Sequence, residues 1–256
     1  DSPGSTGLAT ASLERVRETA EIAVDHGVQL CIHAIGDRAN REVLDALERV
    51  MPEFPDNPGR HRLEHAQILD PADIPRFAEL GVIAAMQPTH ATSDMYWADE
   101  RLGPERLHGA YAWNSLLQSG AILAFGSDFP VERVNPMLGI YAAVTRQDLD
   151  GWPPGGWYPG EALTREEAVR GFTLDAAYSG FMENEVGSLE KGKRADFIVL
   201  DPQGTTLSAH RTALAGSLGE LLFALIVLAA VLTWILPGGS YERTEVDVGG
   251  TVREVV

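Results

Sequence analysis

The chain has 256 residues, 45% hydrophobic and 22% charged, an ordinary globular composition large enough for one big domain or two smaller ones. Its formal net charge of −17 argues against a nucleic-acid binder working through phosphate contacts, which need clustered Lys and Arg, and gives a surface that repels anionic partners. A single cysteine, Cys31, excludes an internal disulfide, and its place in an apolar run predicts a small buried thiol.

The first ten residues, "DSPGSTGLAT", lack the basic and apolar regions of a secretory signal and read as interior sequence. From residue 12 helices alternate with short apolar strands. "SLERVRETAEIAVDHG" predicts a helix capped by Ser12, with Leu13, Val16, Ala20, Ala23 and Val24 on one face and Gly27 at its end. A strand, "VQLCIHA" (28–34), leads into a helix over 37–51 with Ala39, Val43, Leu44 and Leu47 inward and Pro52 as its stop. Then come a strand over 61–68, a short helix in "PADIPRFAELG" and a strand over 82–88. A helix through "GPERLHGAYAWNSLLQSG" precedes a strand over 121–128. This alternation predicts βαβ units, hence an α/β fold with a parallel sheet covered on both faces.

Beyond Asp128 the pattern changes. "WPPGGWYPG" (152–160) is a loop whose aromatics either line a pocket rim or simply pack the loop. "LTREEAVRGFTLDAAYSG" opens with a capping box, Thr164 and Glu167, and a turn with a cationic patch precedes a short strand, "DFIVL".

Polar groups recur at the predicted strand ends: His33, His65, His90 just past the third strand, and Asp128. In a (β/α)8 barrel chemistry sits at those ends, so the recurrence favours a barrel; periodicity alone also allows a doubly wound sheet. Imidazoles and a carboxylate suit Zn2+ or a similar divalent ion, which would bring the pKa of bound water to about 7 and polarise a carbonyl. Taken singly, a histidine ending a strand is more often a hydrogen-bonded structural residue; two histidines and an aspartate at successive strand ends bring the two readings nearer to even. His61 shares a strand face with His65 but not the strand's end, which makes it structural.

Five pieces in order, "IHAIGDRAN", "RHRLEHAQIL", "MQPTHATSD", "AFGSDFPVERVNP" and the run from "LTREEAVRG" to "KGKRADFIVLDPQ", resemble the amidohydrolase superfamily. The branch is family 3, which includes N-substituted formamide deformylase-like enzymes, and the resemblance covers residues 1 to about 204. It implies the second half (strands 5–8) of a TIM (β/α)8 barrel over 1–180, with a remnant of the flanking small β-domain over 181–204. It further implies that His33 and His65 bind a divalent metal, zinc being the expected one. Asp128 becomes both a metal ligand and the general base for the attacking water in hydrolysis of an amide or formamide-like C–N bond. Gln87 and His90 become substrate contacts. Two family features are missing: there is no His-x-His pair, and the two lysines, Lys191 and Lys193, follow Asp128. The chain is therefore expected to start after strand four, with part of the barrel and of the metal shell absent.

After a junction at 205–212 comes an apolar stretch, 213–236, whose only charge is Glu220. Leu221 to Leu236 would span roughly 24 Å as a helix, and extension back to Ala213 reaches the roughly 30 Å of a hydrocarbon core. This predicts a C-terminal hydrophobic, transmembrane helix, with a buried helix or dimer contact as the alternative; as a span, Lys191, Lys193, Arg194 and Arg211 would hold the barrel portion on the cytoplasmic side, with 237–256 as a polar tail. The stretch resembles the first transmembrane segment of anaerobic C4-dicarboxylate/basic amino acid carriers. Two further readings stand beside the hydrolase acting on a small amide-type substrate: an inactive membrane-anchored fusion remnant, and a binding module for a transporter partner.

Overall fold

The computed structural model describes residues 7–53 and 59–194, together with a short antiparallel pair, Asp247–Val248 with Thr251–Val252. Its centre is a four-stranded parallel sheet of β1 (Cys31–Ala34), β2 (Arg62–His65), β3 (Ile83–Met86) and β4 (Leu123–Phe125), in that spatial order. The predicted α/β class with a parallel sheet is what forms. Consecutive strands are neighbours throughout, so strand order does not reverse among the described residues.

The helix before β1, α1 (Leu13–Asp25), starts where Ser12 Oγ accepts the Arg15 amide at 3.2 Å and buries Ala20, Ala23 and Val24. β1 opens later than the apolar run suggests because the Leu30 amide is taken by His61 Nδ1 at 3.0 Å, and the ladder begins with Arg62 N–H to Leu30 O. His61 is buried and holds the strand's entrance, the structural role its position predicts. α2 (Asp37–Val50) puts Val43, Leu44, Ala46, Leu47 and Val50 into the core before Pro52 turns it into one 3-10 turn. α3 (Ile74–Leu80) ends on Gly81 in the left-handed conformation, which glycine adopts without a Cβ penalty. Leu63, Ala84, Met86 and Leu123 meet Leu44, Phe77, Trp113 and Phe172 in one continuous core, each fully buried large side chain contributing roughly 1.5–3 kcal/mol.

Several expectations need correcting. Cys31 is exposed, not buried. The β1–β2 register pairs Cys31 with Arg62 and His33 with Glu64, so these four share one face of the sheet while Ile32 and Ala34 turn to the core. The strand expected over 82–88 stops at Met86, and the segment after β3 forms α4 (Pro88–Asp94) and α5 (Ala98–Leu102). The single helix expected through 103–120 is interrupted. Arg106–Gly109 is a 3-10 turn, Ala110 is extended and bridges Ile68, Tyr111 has φ 50°, and only α6 (Trp113–Gln118) is α-helical. That segment gives up helical bonds to pair with the loop after β2. α7 (Pro136–Thr145) follows β4, and the capping box at Thr164 and Glu167 is present at the start of α8 (Arg165–Phe172). Thr173, at φ −123° and ψ −90°, separates α8 from α9 (Leu174–Ser179). The predicted "DFIVL" strand and the apolar stretch 213–236 lie outside the described residues; among those described, no helix is long and apolar enough to cross a membrane.

Candidate metal centre

Three strands deliver chemistry to the same end of the sheet. His65 is the last residue of β2. His90 lies in the first turn of α4, directly after β3, and Asp128 stands three residues beyond β4. By strand alternation His65 belongs with Leu63, facing the helices. The chain instead turns left-handed, with φ 79° at His65 and 43° at Ala66, and the His65 ring meets that of His33 from the opposite face, edge-on at 4.3 Å between centroids. Asp128 is also left-handed, at φ 55°. Such residues each store about 1–3 kcal/mol of strain, which the surrounding packing must hold, and they concentrate at functional sites.

His65, His90 and Asp128 each offer one ligand atom, and these atoms lie within 4.8 Å of one another. The rings of His65 and His90 are stacked at 5.7 Å and 16°. His90 Nε2 is 3.8 Å from Asp128 Oδ2, too far for a hydrogen bond, and is buried with no other hydrogen-bond partner. The hydroxyls of Thr89 and Ser127, each adjacent to a member of this group, are also buried without a hydrogen bond. A buried imidazole nitrogen left unsatisfied costs roughly 1–3 kcal/mol, and a cation between the histidines and the carboxylate would remove that cost. The residues present therefore fit a divalent metal.

Supporting contacts set the histidine tautomer. Gln87 Nε2 donates to the Ala85 carbonyl at 3.4 Å, which turns Gln87 Oε1 toward His65 Nδ1 at 2.8 Å. His65 thus carries its proton on Nδ1 and keeps a lone pair on Nε2, the arrangement a metal-binding histidine needs. Gln87, expected to face substrate, is buried and occupied in this way. His90, also expected as a substrate contact, stands inside the ligand-bearing group. His33 lies beside that group, against His65. Burial first, and the His65 imidazole second, hold His33 below the usual histidine range, while the carboxylates of Asp128 and Glu64 pull the other way. A neutral imidazole is the form that coordinates a cation.

Sequence reasoning missed three residues behind this group. Asp94, at the end of α4, accepts hydrogen bonds from Gln67 Nε2 at 2.7 Å and from the Tyr111 hydroxyl. The spacing of Asp94 four residues after His90 is visible in "HATSD", but only a helix gives it meaning. The "WPPGGWYPG" aromatics follow the packing reading in part. Trp157 is buried and donates from Nε1 to Asp99 at 3.0 Å, and Trp152 stacks on Tyr96 at 5.0 Å.

The sequence pattern that defines the amidohydrolase family matches residues 2–236, further than the motifs indicated. The chain is 38% identical over 204 residues to the protein LONG AFTER FAR-RED 3 of Arabidopsis thaliana, covering 78% of this chain and 34% of that protein. It is 32% identical over 194 residues to N-substituted formamide deformylase of Arthrobacter pascens, covering 74% of this chain and 34% of the relative. Among solved structures it resembles an uncharacterized metal-dependent hydrolase from Pyrococcus furiosus, with a TM-score of 0.64 and 34% identity over 76% of this chain and 38% of that one. The chain thus spans about a third of the length of these curated relatives. The carrier-like reading of the tail receives no support from these relatives.

Proposed function

Since the chain belongs to the amidohydrolase family, we propose that it forms the metal-binding arc of a hydrolase that cleaves an amide or formamide-type C–N bond in a small molecule. The observation that carries this reading is the convergence of His65, His90 and Asp128, from the ends of three successive strands, to within 4.8 Å. The four parallel strands in sequential order read as one arc of a (β/α)8 barrel, whose chemistry sits at the C-terminal strand ends. Relatives more than twice as long supply room for the rest of such a barrel.

His65 Nε2, His90 Nε2 and an Asp128 oxygen would hold the cation, zinc being the expected one, with the neutral His33 ring beside them. When bound, the metal polarises the scissile carbonyl and acidifies a water molecule. Asp128 takes the proton from the attacking water as its oxygen bonds to the carbonyl carbon, and returns that proton to the nitrogen as the C–N bond breaks. Its 38% side-chain exposure leaves it open to water and substrate, whereas His90, at 12%, is suited to holding position. Gln87 keeps the His65 lone pair pointed inward throughout.

Zinc titration of the chelator-treated full chain should show one equivalent bound, with His65→Ala and Asp128→Asn each lowering affinity by at least about tenfold. Hydrolysis of N-substituted formamides by the zinc-loaded protein should vanish in Asp128→Asn. Stoichiometric binding unaffected by either change, or hydrolysis that survives Asp128→Asn, would overturn the assignment.

A further inference from the structure

The sheet alone does not fix where His65 and His90 stand relative to each other. β2 and β3 are laddered from Arg62 with Ile83 to Glu64 with Ala85, and both histidines lie past the last of those pairs. The segments carrying them need some other connection. One exists between Gln67, two residues after His65, and Asp94, one helical turn after His90. Gln67 Nε2 donates to Asp94 Oδ2 at 2.7 Å, and the Tyr111 hydroxyl donates to the same oxygen while itself accepting from Gln67.

The third member is anchored in its own right. The Tyr111 amide donates to the Gln67 carbonyl at 2.8 Å, and the Tyr111 carbonyl accepts from Nη1 of the fully buried Arg146 at 3.0 Å. Tyr111 is 2% exposed and packs edge-on against Trp113 and Trp157. A charged acceptor holding two donors from two other segments makes stronger bonds than a neutral one, and here it joins three stretches of chain beyond the sheet.

We propose that Asp94, braced by Gln67 and Tyr111, is a strut that sets the separation and stacking of the His65 and His90 rings. Asp94, Gln67 and Tyr111 are positioning residues. The role deepens the metal-centre reading and rests on it for its bearing on catalysis, but the geometry it fixes is measurable without metal.

The test uses the full 256-residue chain with isotope-labelled histidine, stripped of metal. Proton cross-peaks between the His65 and His90 rings should be present in the wild type, persist in Asp94→Asn, whose carbonyl oxygen still accepts both bonds, and disappear in Asp94→Ala. Persistence of the ring contact in a folded Asp94→Ala protein overturns the strut. If Asp94→Ala does not fold, Gln67→Met and Tyr111→Phe, each removing one of the two donors to Asp94, carry the same decision. In a parallel zinc titration Asp94→Ala should bind about tenfold more weakly, with Asp94→Asn close to wild type. Equal zinc affinity in Asp94→Ala and wild type also overturns it, since a merely structural residue would change only thermal stability. Failure of the wild type to bind zinc would sink the metal-centre reading while the ring contact still judges the strut.

Discussion

Single side chains decide how the ends of the strands are held. Asn40, on the second turn of α2, is completely buried, and its Nδ2 lies within hydrogen-bond distance of the carbonyls of Ala34 (3.1 Å), Gly36 (2.9 Å) and Ile68 (3.1 Å). It thereby ties the exits of β1 and β2 to one helix. Asn40→Asp would set a carboxylate against three carbonyl oxygens, and thermal unfolding should show a loss of about 3 kcal/mol or more, against about 2 kcal/mol for Asn40→Ala. Equal losses would mean that the amide donors contribute little. His33, His65, His90 and Asp128 could be singled out as candidates at this scale because polar groups at the ends of apolar strands add little to packing. Asn40, Gln67 and Asp94 were not, since an amide or carboxylate in a loop or on a helix is common and its partners are remote in sequence.

Among elements, the least legible stretch is 103–120. Its composition suits a helix, and a helix would satisfy its amides locally. The structure instead pairs the stretch with the loop after β2: Leu69 N–H donates to Gly109 O at 2.8 Å, Ala110 bridges Ile68, and Tyr111 N–H donates to Gln67 O. Gly109 permits this approach, because a Cβ there would sit 1.7 Å from the Leu69 carbonyl oxygen, a backbone atom that cannot give way. Gly109→Ala should therefore cost about 3 kcal/mol or prevent folding, as overpacking against a fixed backbone does. A denaturant midpoint within error of wild type would show that the pairing is dispensable. The same pairing carries Tyr111 to Asp94, so a substitution that pushes these segments apart should also disturb the His65–His90 contact.

At the scale of the whole molecule, contacts between distant stretches close the fold. Arg60, just before β2, makes a bidentate pair with Glu183, beyond α9, with Nη1 to Oε2 at 3.0 Å and Nη2 to Oε1 at 2.7 Å, and its guanidinium lies over the rings of Tyr178 and Phe181. The Arg60 hydrogen bonds hold the Glu183 carboxyl below the usual carboxylate range. A carboxyl whose folded-state pKa lies below its unfolded value contributes stability that is complete above the unfolded value and is lost as pH falls through the folded one. Wild-type stability should therefore drop relative to Glu183→Gln as pH is lowered below about 4. Parallel acid-denaturation curves for the two proteins would show that the pair contributes nothing.

The sequence by itself determined the class of fold, the four sheet strands and the caps at Ser12 and Thr164, and it offered the polar groups His33, His65, His90 and Asp128 at the strand ends as candidates. These are local properties: apolar period, turn residues and polar groups that interrupt a strand. Only the tertiary structure decided that His65 turns back through a left-handed backbone, that His90 rather than His33 completes the trio with it and Asp128, and that Gln87 serves His65. Each of those depends on which separate segments meet beyond the strand ends, where no repeating hydrogen-bond ladder dictates the path and the partners lie tens of residues apart.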